Sequence, residues 1–364
     1  MSFLRLKKID LYIIKKFLGT YFFAILIIIS IAVVFDISEK VEDFIEKEAP
    51  LRAIVFDYYL NFIPYFANLF SSLFTFIAVI FFTSKMAYNT EIIAILSSGV
   101  SFKRMMYPFF VSALIIAILS FLLMAYIIPP ANEERITFEY TYIRNPIRNT
   151  DKDIHRQIEP GVFVYMKSYN VSNDIGYKFA IENFKDGVLR SKLTSDYVKW
   201  DSTLSKWTIR NYFIRDIDSV GNESITTGAK IDTALNMRPE EFKRMRNFTE
   251  MMNLPQLNNF IEEQYMQGAD NVVELLIDKY SRFAYPFSTF ILTLIGVSLS
   301  SRKVRGGIGM HIGFGLLLSF SYILFMRFTT MFAISGSMNP LFAVWFPNLI
   351  YAIIAVFLYR LAPK

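Results

Sequence analysis

The sequence predicts an α+β membrane protein, with six transmembrane helices arranged 3+3 and an all-β domain inserted between the third and fourth. Three observations predict it. Six apolar stretches approach the length of about 20 residues that a hydrocarbon core about 30 Å thick requires of a helix: Phe17–Phe35, Asn61–Thr83, Pro108–Ile128, Phe283–Leu299, Ile308–Phe332 and Leu341–Leu361. A polar insert, Pro129 to Asp278, separates the third stretch from the fourth. Much of that insert alternates apolar and polar residues with period two, the signature of half-buried strands. The chain thus divides into residues 1–128 (three helices), 129–278 (the insert, with a helical C-terminal part) and 279–364 (three helices).

Charge fixes the expected orientation of the helices. Basic residues concentrate in short loops on the cytoplasmic side. Arg5, Lys7, Lys8, Lys15 and Lys16 precede the first span, Lys85, Lys103 and Arg104 follow the second, Arg302, Lys303 and Arg305 follow the fourth, and Arg360 and Lys364 close the chain. Only Asp10 and Glu91 are acidic in those segments. The intervening loop Asp36–Asp57 has the opposite balance, seven carboxylates against Lys40, Lys47 and Arg52. Both termini are therefore expected in the cytoplasm and the insert outside the inner face. No small-x-small cleavage pattern follows Phe35, so the first span is read as retained.

Inside the insert, Val162–Met166, Tyr177–Ile181, Tyr197–Trp200, Trp207–Ile209 and Asn211–Ile217 read as short strands. Asp186-Gly187 marks a hairpin turn, and a polar turn spans Asp201–Lys206. Strands at this spacing indicate a sandwich, jelly roll or barrel. After Pro239 the pattern turns helical over Gln256–Gln267 and again from Asn271. The insert holds 19 Lys/Arg against 23 Asp/Glu, so its surface is nearly neutral overall.

Several function classes are excluded. The net charge of +6 reflects membrane topology, and no basic stripe with interleaved aromatics supports nucleic-acid binding. There are no cysteines, hence no disulfide or thiolate chemistry. The only histidines, His155 and His311, lack metal-ligand spacing. The glycine-rich run Arg305–Gly315 lacks the order of a phosphate-binding loop, which occurs nowhere in the chain. Gly309 and Gly313, four apart, instead suit close helix packing. No cofactor and no catalytic residue are predicted. If nucleotide drives this protein, another subunit hydrolyses it.

The segment between the second and third spans, residues 88–99, reads as a short amphipathic helix. Asn89 or Thr90 caps it, Gly99 ends it in the left-handed conformation, and Ile92, Ile95 and Leu96 form an apolar stripe. Such a helix either transmits force to a soluble partner or rests on lipid, and Glu91 in place of lysines on its polar side favours the partner. Arg327 lies five residues from the end of the fifth span, roughly 7.5 Å at the helical rise. It either snorkels to the headgroups or meets an anionic ligand. Lys279 and Arg282, where the fourth span begins, pose the same choice between lipid-phosphate contacts and helix anchors.

Taken together, the chain resembles the LptF/LptG (YjgP/YjgQ) permease family. The resemblance rests on the 3+3 layout with its β insert, on Asn89-Thr90-Glu91-Ile92-Ile93-Ala94-Ile95 with Ser98-Gly99-Val100-Ser101, and on Trp200-Asp201 followed by Trp207. It rests further on Arg282-Phe283-Ala284-Tyr285-Pro286-Phe287, Arg305-Gly306-Gly307-Ile308-Gly309, Asn339-Pro340 and Trp345-Phe346-Pro347-Asn348. The resemblance implies a periplasmic β-jelly roll on six helices in a bacterial inner membrane. It implies partners as well: a dimer of LptB-type ATPases, the complementary LptF or LptG permease, and periplasmic LptC- and LptA-type proteins. The implied cargo is lipopolysaccharide. Glu91 matches the acidic residue of the family's coupling helix, and Ile92, Ile95, Leu96 and Gly99 complete that element. Phe17–Phe35 contains no basic residue, so no ligand cation is carried over to the first span. Two other readings fit the residues: an ABC permease for another amphiphile such as a lipoprotein, and a non-transporting membrane sensor or scaffold.

Overall fold

The computed structural model describes residues 6–143, 152–218, 220–239, 242, 248–269, 271–302 and 307–362. The chain divides into two compact units, Met1–Ile143 with Thr249–Leu257 and Val273–Lys364, and Arg144–Phe248 with Asn258–Val272. Lys303, Arg305 and Gly306, which carry part of the Arg-Gly-Gly run, lie outside the described residues, as do Arg5 and Lys364.

The first unit is helical, and six of its helical runs are long and apolar enough to cross a membrane. Helix α1 (Lys8–Glu46) is 39 residues long, which at 1.5 Å per residue is about 58 Å, nearly twice the hydrocarbon thickness. It runs through Asp36–Glu46, where charge alone suggests a loop, because Asp36 and Lys40 pair at i, i+4 on the helix surface (2.6 Å). A short α2 (Leu51–Ala53) and a π-turn over Ile54–Tyr59 lead into α3 (Leu60–Leu69) and α4 (Ser71–Tyr88). The second predicted span is thus two helices that break at Phe70, six residues after Pro64. α5 (Glu91–Ser97) is the short helix, and α6 (Phe102–Leu122) follows it.

A second π-turn, Leu123–Ile127, joins α6 to α7 (Ile128–Tyr142). Pro129 and Pro130 lack the N–H groups that an α-helix would direct at the carbonyls four residues back. The widened turn absorbs that loss at the first turn of α7, so the helix continues past the proline pair. α8 (Leu254–Met266), α9 (Val272–Ser300), α10 (Gly307–Ile334) and α11 (Pro340–Leu361) complete the helices. Asn339 caps α11, its side chain accepting from the Leu341 N–H (3.0 Å), with Pro340 at the first helical position.

The second unit contains a six-stranded antiparallel sheet in sequential order: β1 (Lys152–Glu159), β2 (Val162–Asn170), β3 (Ile175–Lys185), β4 (Val188–Asp201), β5 (Lys206–Ile217) and β6 (Glu223–Thr233). A β domain is therefore present where the sequence predicts one, as a single sequential antiparallel sheet with longer strands. Trp207–Ile209 and Asn211–Ile217 form one strand, and β1 and β6 join as additional strands. The Asp186-Gly187 turn joins β3 to β4, both residues at positive φ (52° and 74°), as a two-residue hairpin requires. Trp200 and Trp207 face each other across the next hairpin, and Asp201 accepts from the Thr203 and Leu204 N–H groups at its turn (2.9 and 3.2 Å). Val164, Met166, Phe179, Val198 and Ile209 form one apolar face around fully buried Trp207. The Trp207 indole donates to the Met237 carbonyl (3.0 Å), so its one polar group is satisfied.

Candidate functional site

The short helix α5 is built from both directions. Thr90, at its N-cap, lies in the left-handed region (φ 63°), and its hydroxyl donates to the Asn89 carbonyl (2.6 Å). The expected side-chain cap is therefore absent: the hydroxyl is turned away from the first helical N–H groups. At the other end Gly99 takes φ +84°, the conformation that lets a glycine terminate a helix.

The apolar stripe points inward. Ile92 is 1% exposed, and Ile95 and Leu96 pack against the same core as Ile13, Phe17, Phe82, Met86, Phe102 and Phe109. A helix resting on lipid would turn that stripe outward. Here the outward residues are Ile93, Ala94, Ser97, Ser98 and Gly99.

Glu91 sits half-buried in the first turn, where the helix dipole favours a carboxylate. Both of its oxygens are used: Oε2 accepts from the Tyr12 hydroxyl of α1 (3.1 Å), and Oε1 from the Asn89 side-chain amide (3.2 Å). Two residues before Tyr12, the buried Asp10 carboxylate receives a bidentate Arg104 guanidinium from α6 (2.7 and 2.6 Å) and the Lys7 N–H (2.7 Å). The first turns of α1 are thus tied to α5 itself and to α6, the helix that follows it.

The three candidate lipid-phosphate cations at the opposite end of the bundle have separate surroundings. Arg282 is only 6% exposed and is turned onto the backbone, donating to the carbonyls of Met252 (2.7 Å) and Thr249 (3.1 Å). Lys279 is half-buried and Arg327 exposed, and among the described residues neither forms an ion pair.

Beside Arg282 is a polar network that sequence reading missed. Arg135 on α7 donates to Asn132 (3.1 Å) and Glu139 (2.7 Å), lies 3.8 Å from Glu250, and stacks its guanidinium over the Tyr65 ring at 4.9 Å. Thr249 donates to Asp278 (2.8 Å). Arg135 and Arg282 together fasten the segment Thr249–Met252 to α7 and α9. The one available signal was the i, i+4 spacing of Arg135 and Glu139, visible only to a reader who continues the helix beyond the proline pair.

Other motif residues knit helices together. Asn348 is 2% exposed, donating to the Ala284 carbonyl (3.1 Å) and accepting from the Tyr322 hydroxyl (3.0 Å). That joins α9, α10 and α11. The groups available for a metal do not converge: no cluster of three or more His, Asp or Glu exists among the described residues.

Six membrane-length helices interrupted by an antiparallel β module define a multi-pass membrane protein of α+β class. The family model for the lipopolysaccharide export system permease LptF/LptG matches residues 11–361, nearly the whole chain, and the protein belongs to that family. Membership implies a lipopolysaccharide-export permease of the inner membrane, a transport subunit and not an enzyme. No curated protein matches the chain.

Proposed function

We propose that this chain is the permease subunit of an ABC transporter that extracts lipopolysaccharide from the inner membrane and passes it towards a periplasmic β-jelly-roll bridge. ATP is hydrolysed by a separate LptB-type dimer. The second permease is the complementary LptF or LptG chain, and LptC- and LptA-type proteins receive the cargo. In this reading both termini and α5 face the cytoplasm, the insert of residues 129–278, which carries the β domain, is periplasmic, and residues 1–128 and 279–364 supply the two membrane halves. In the same reading Lys279 and Arg327 contact the phosphates of the cargo, whereas Arg282 contributes by holding the Thr249–Met252 segment in place.

The observation that carries the proposal is the construction of α5. Its apolar stripe (Ile92, Ile95, Leu96) is locked into the helical core, its start carries the Glu91 carboxylate, and Gly99 closes it. An element so anchored moves with the membrane helices, as a coupling element must. Reversing a charge at a protein–protein contact costs several kcal/mol. Glu91→Lys is therefore expected to lower lipopolysaccharide release per ATP by at least about tenfold in the reconstituted transporter, with the permease still folded. Unchanged release, together with no ATPase co-purifying with the native chain, would refute the proposal.

A further inference from the structure

Resting on that reading of Glu91, we infer that α1 is the helix that takes up the movement of α5, and that Tyr12 is the positioning residue through which it does so. Among the described residues, the bond from the Tyr12 hydroxyl to Glu91 Oε2 is the only side-chain hydrogen bond that leaves α5 for another helix. It spans 79 residues of sequence and closes at 3.1 Å. The Tyr12 ring also lies edge-on to Phe82 of α4 (6.4 Å), which fixes the hydroxyl's direction.

The rest of α1 suits a lever. Nine residues beyond Tyr12, about 13 Å along the axis, Tyr21 shares a buried hydrogen bond with Ser71 of α4 (2.7 Å). Past that point Phe22, Phe23, Leu26, Ile27, Ile31 and Val34 are exposed. Only 17% of the apolar window of α1 is buried, against 61% for α4. A pull on the foot at Tyr12 thus acts below a fixed point. The stretch above it, mostly exposed from Phe22 to Val34, is free to flex between that point and the next, where Asp36 accepts from the Tyr58 and Tyr59 hydroxyls. α4 and α6 are joined to α5 through the chain itself, but α4 is held on more sides.

The test measures lipopolysaccharide released per ATP hydrolysed by the complete reconstituted transporter. A hydrogen bond to a charged group, here partly exposed, sets the scale: Tyr12→Phe is expected to lower that ratio about fivefold while the ATPase remains bound. Tyr12→Lys, whose ammonium reaches the same carboxylate, is expected to restore most of it. A normal ratio in Tyr12→Phe alongside a low one in Glu91→Gln overturns the inference and leaves the role of Glu91 standing. Normal ratios in both remove the reading beneath it.

The absence of cysteine allows a second measurement that does not depend on the Tyr12 variants. A single spin label at Val34→Cys is expected to shift on ATP addition in a chain that keeps Tyr12 and Glu91. A label that stays still through the ATP cycle overturns the inference.

Discussion

Helices α1 and α9 show what a bilayer does to the usual rules of burial. α1 has a strongly apolar window, yet only 17% of it is buried; α9 has a less apolar window, and 67% of it is buried. A soluble protein would bury the more apolar helix. In lipid no hydrophobic force drives helices together, so close association depends on small residues and polar contacts. α9 supplies them through Ser288, Thr289, Thr293, Gly296, Ser298 and Ser300, all buried. α1 presents Phe23, Leu26, Phe35 and their neighbours to whatever surrounds the unit. Within this pair the more apolar helix is the one left to meet its surroundings, and the one with small polar residues is the one packed into the scaffold.

Three substitutions break or sharpen that contrast. Gly296→Leu has the largest expected effect, because a Cβ there would already lie 2.7 Å from Val79 of α4. Overpacking of this kind costs about 1–3 kcal/mol or more, and thermal stability in detergent should drop sharply. Next is Arg282→Ala, which strips two backbone carbonyls of their donor and should cost about 1–3 kcal/mol. Protease cleavage near Thr249–Met252 should rise with it, and Arg282→Lys, lacking the fork, should recover only part. Leu26→Ala on the exposed face of α1 is expected to leave the isolated permease within about 0.5 kcal/mol of the native stability. If Leu26→Ala instead destabilises the isolated chain as much as Gly296→Leu, the contrast fails.

Much of the architecture was legible because its causes are local. Apolar runs of membrane length need only their own composition, and the Asp186-Gly187 turn needs only two residues that tolerate positive φ. The α5 stripe was legible for the same reason, since Ile92, Ile95 and Leu96 declare a face, although only the packing against Phe17 and Phe109 shows that the face turns inward. The missed features all depend on distant partners. α1 continues through a charged stretch because Asp36 and Lys40 pair along it and because the Tyr58 and Tyr59 hydroxyls reach the same carboxylate. Strand β1 has little alternation of its own and is defined by its ladder to β2. Arg135 meets Glu250 across 115 residues, a pairing that no local pattern announces. For Arg282 the sequence leaves a lipid-phosphate contact and a helix anchor both open, and its carbonyl partners are visible only once the chain returning from the insert is in place.

The clamp that Arg282 makes has a consequence for the environment in which this protein works. In the proposed orientation it sits on the side of the membrane whose salt content follows the external medium. Ordinary exposed ion pairs weaken there as ionic strength rises, because mobile ions screen them. A guanidinium that is almost wholly buried and bonded to neutral peptide oxygens has little to lose to screening. The return from the β insert into α9 is therefore fastened by a contact that keeps its strength from fresh water to brine.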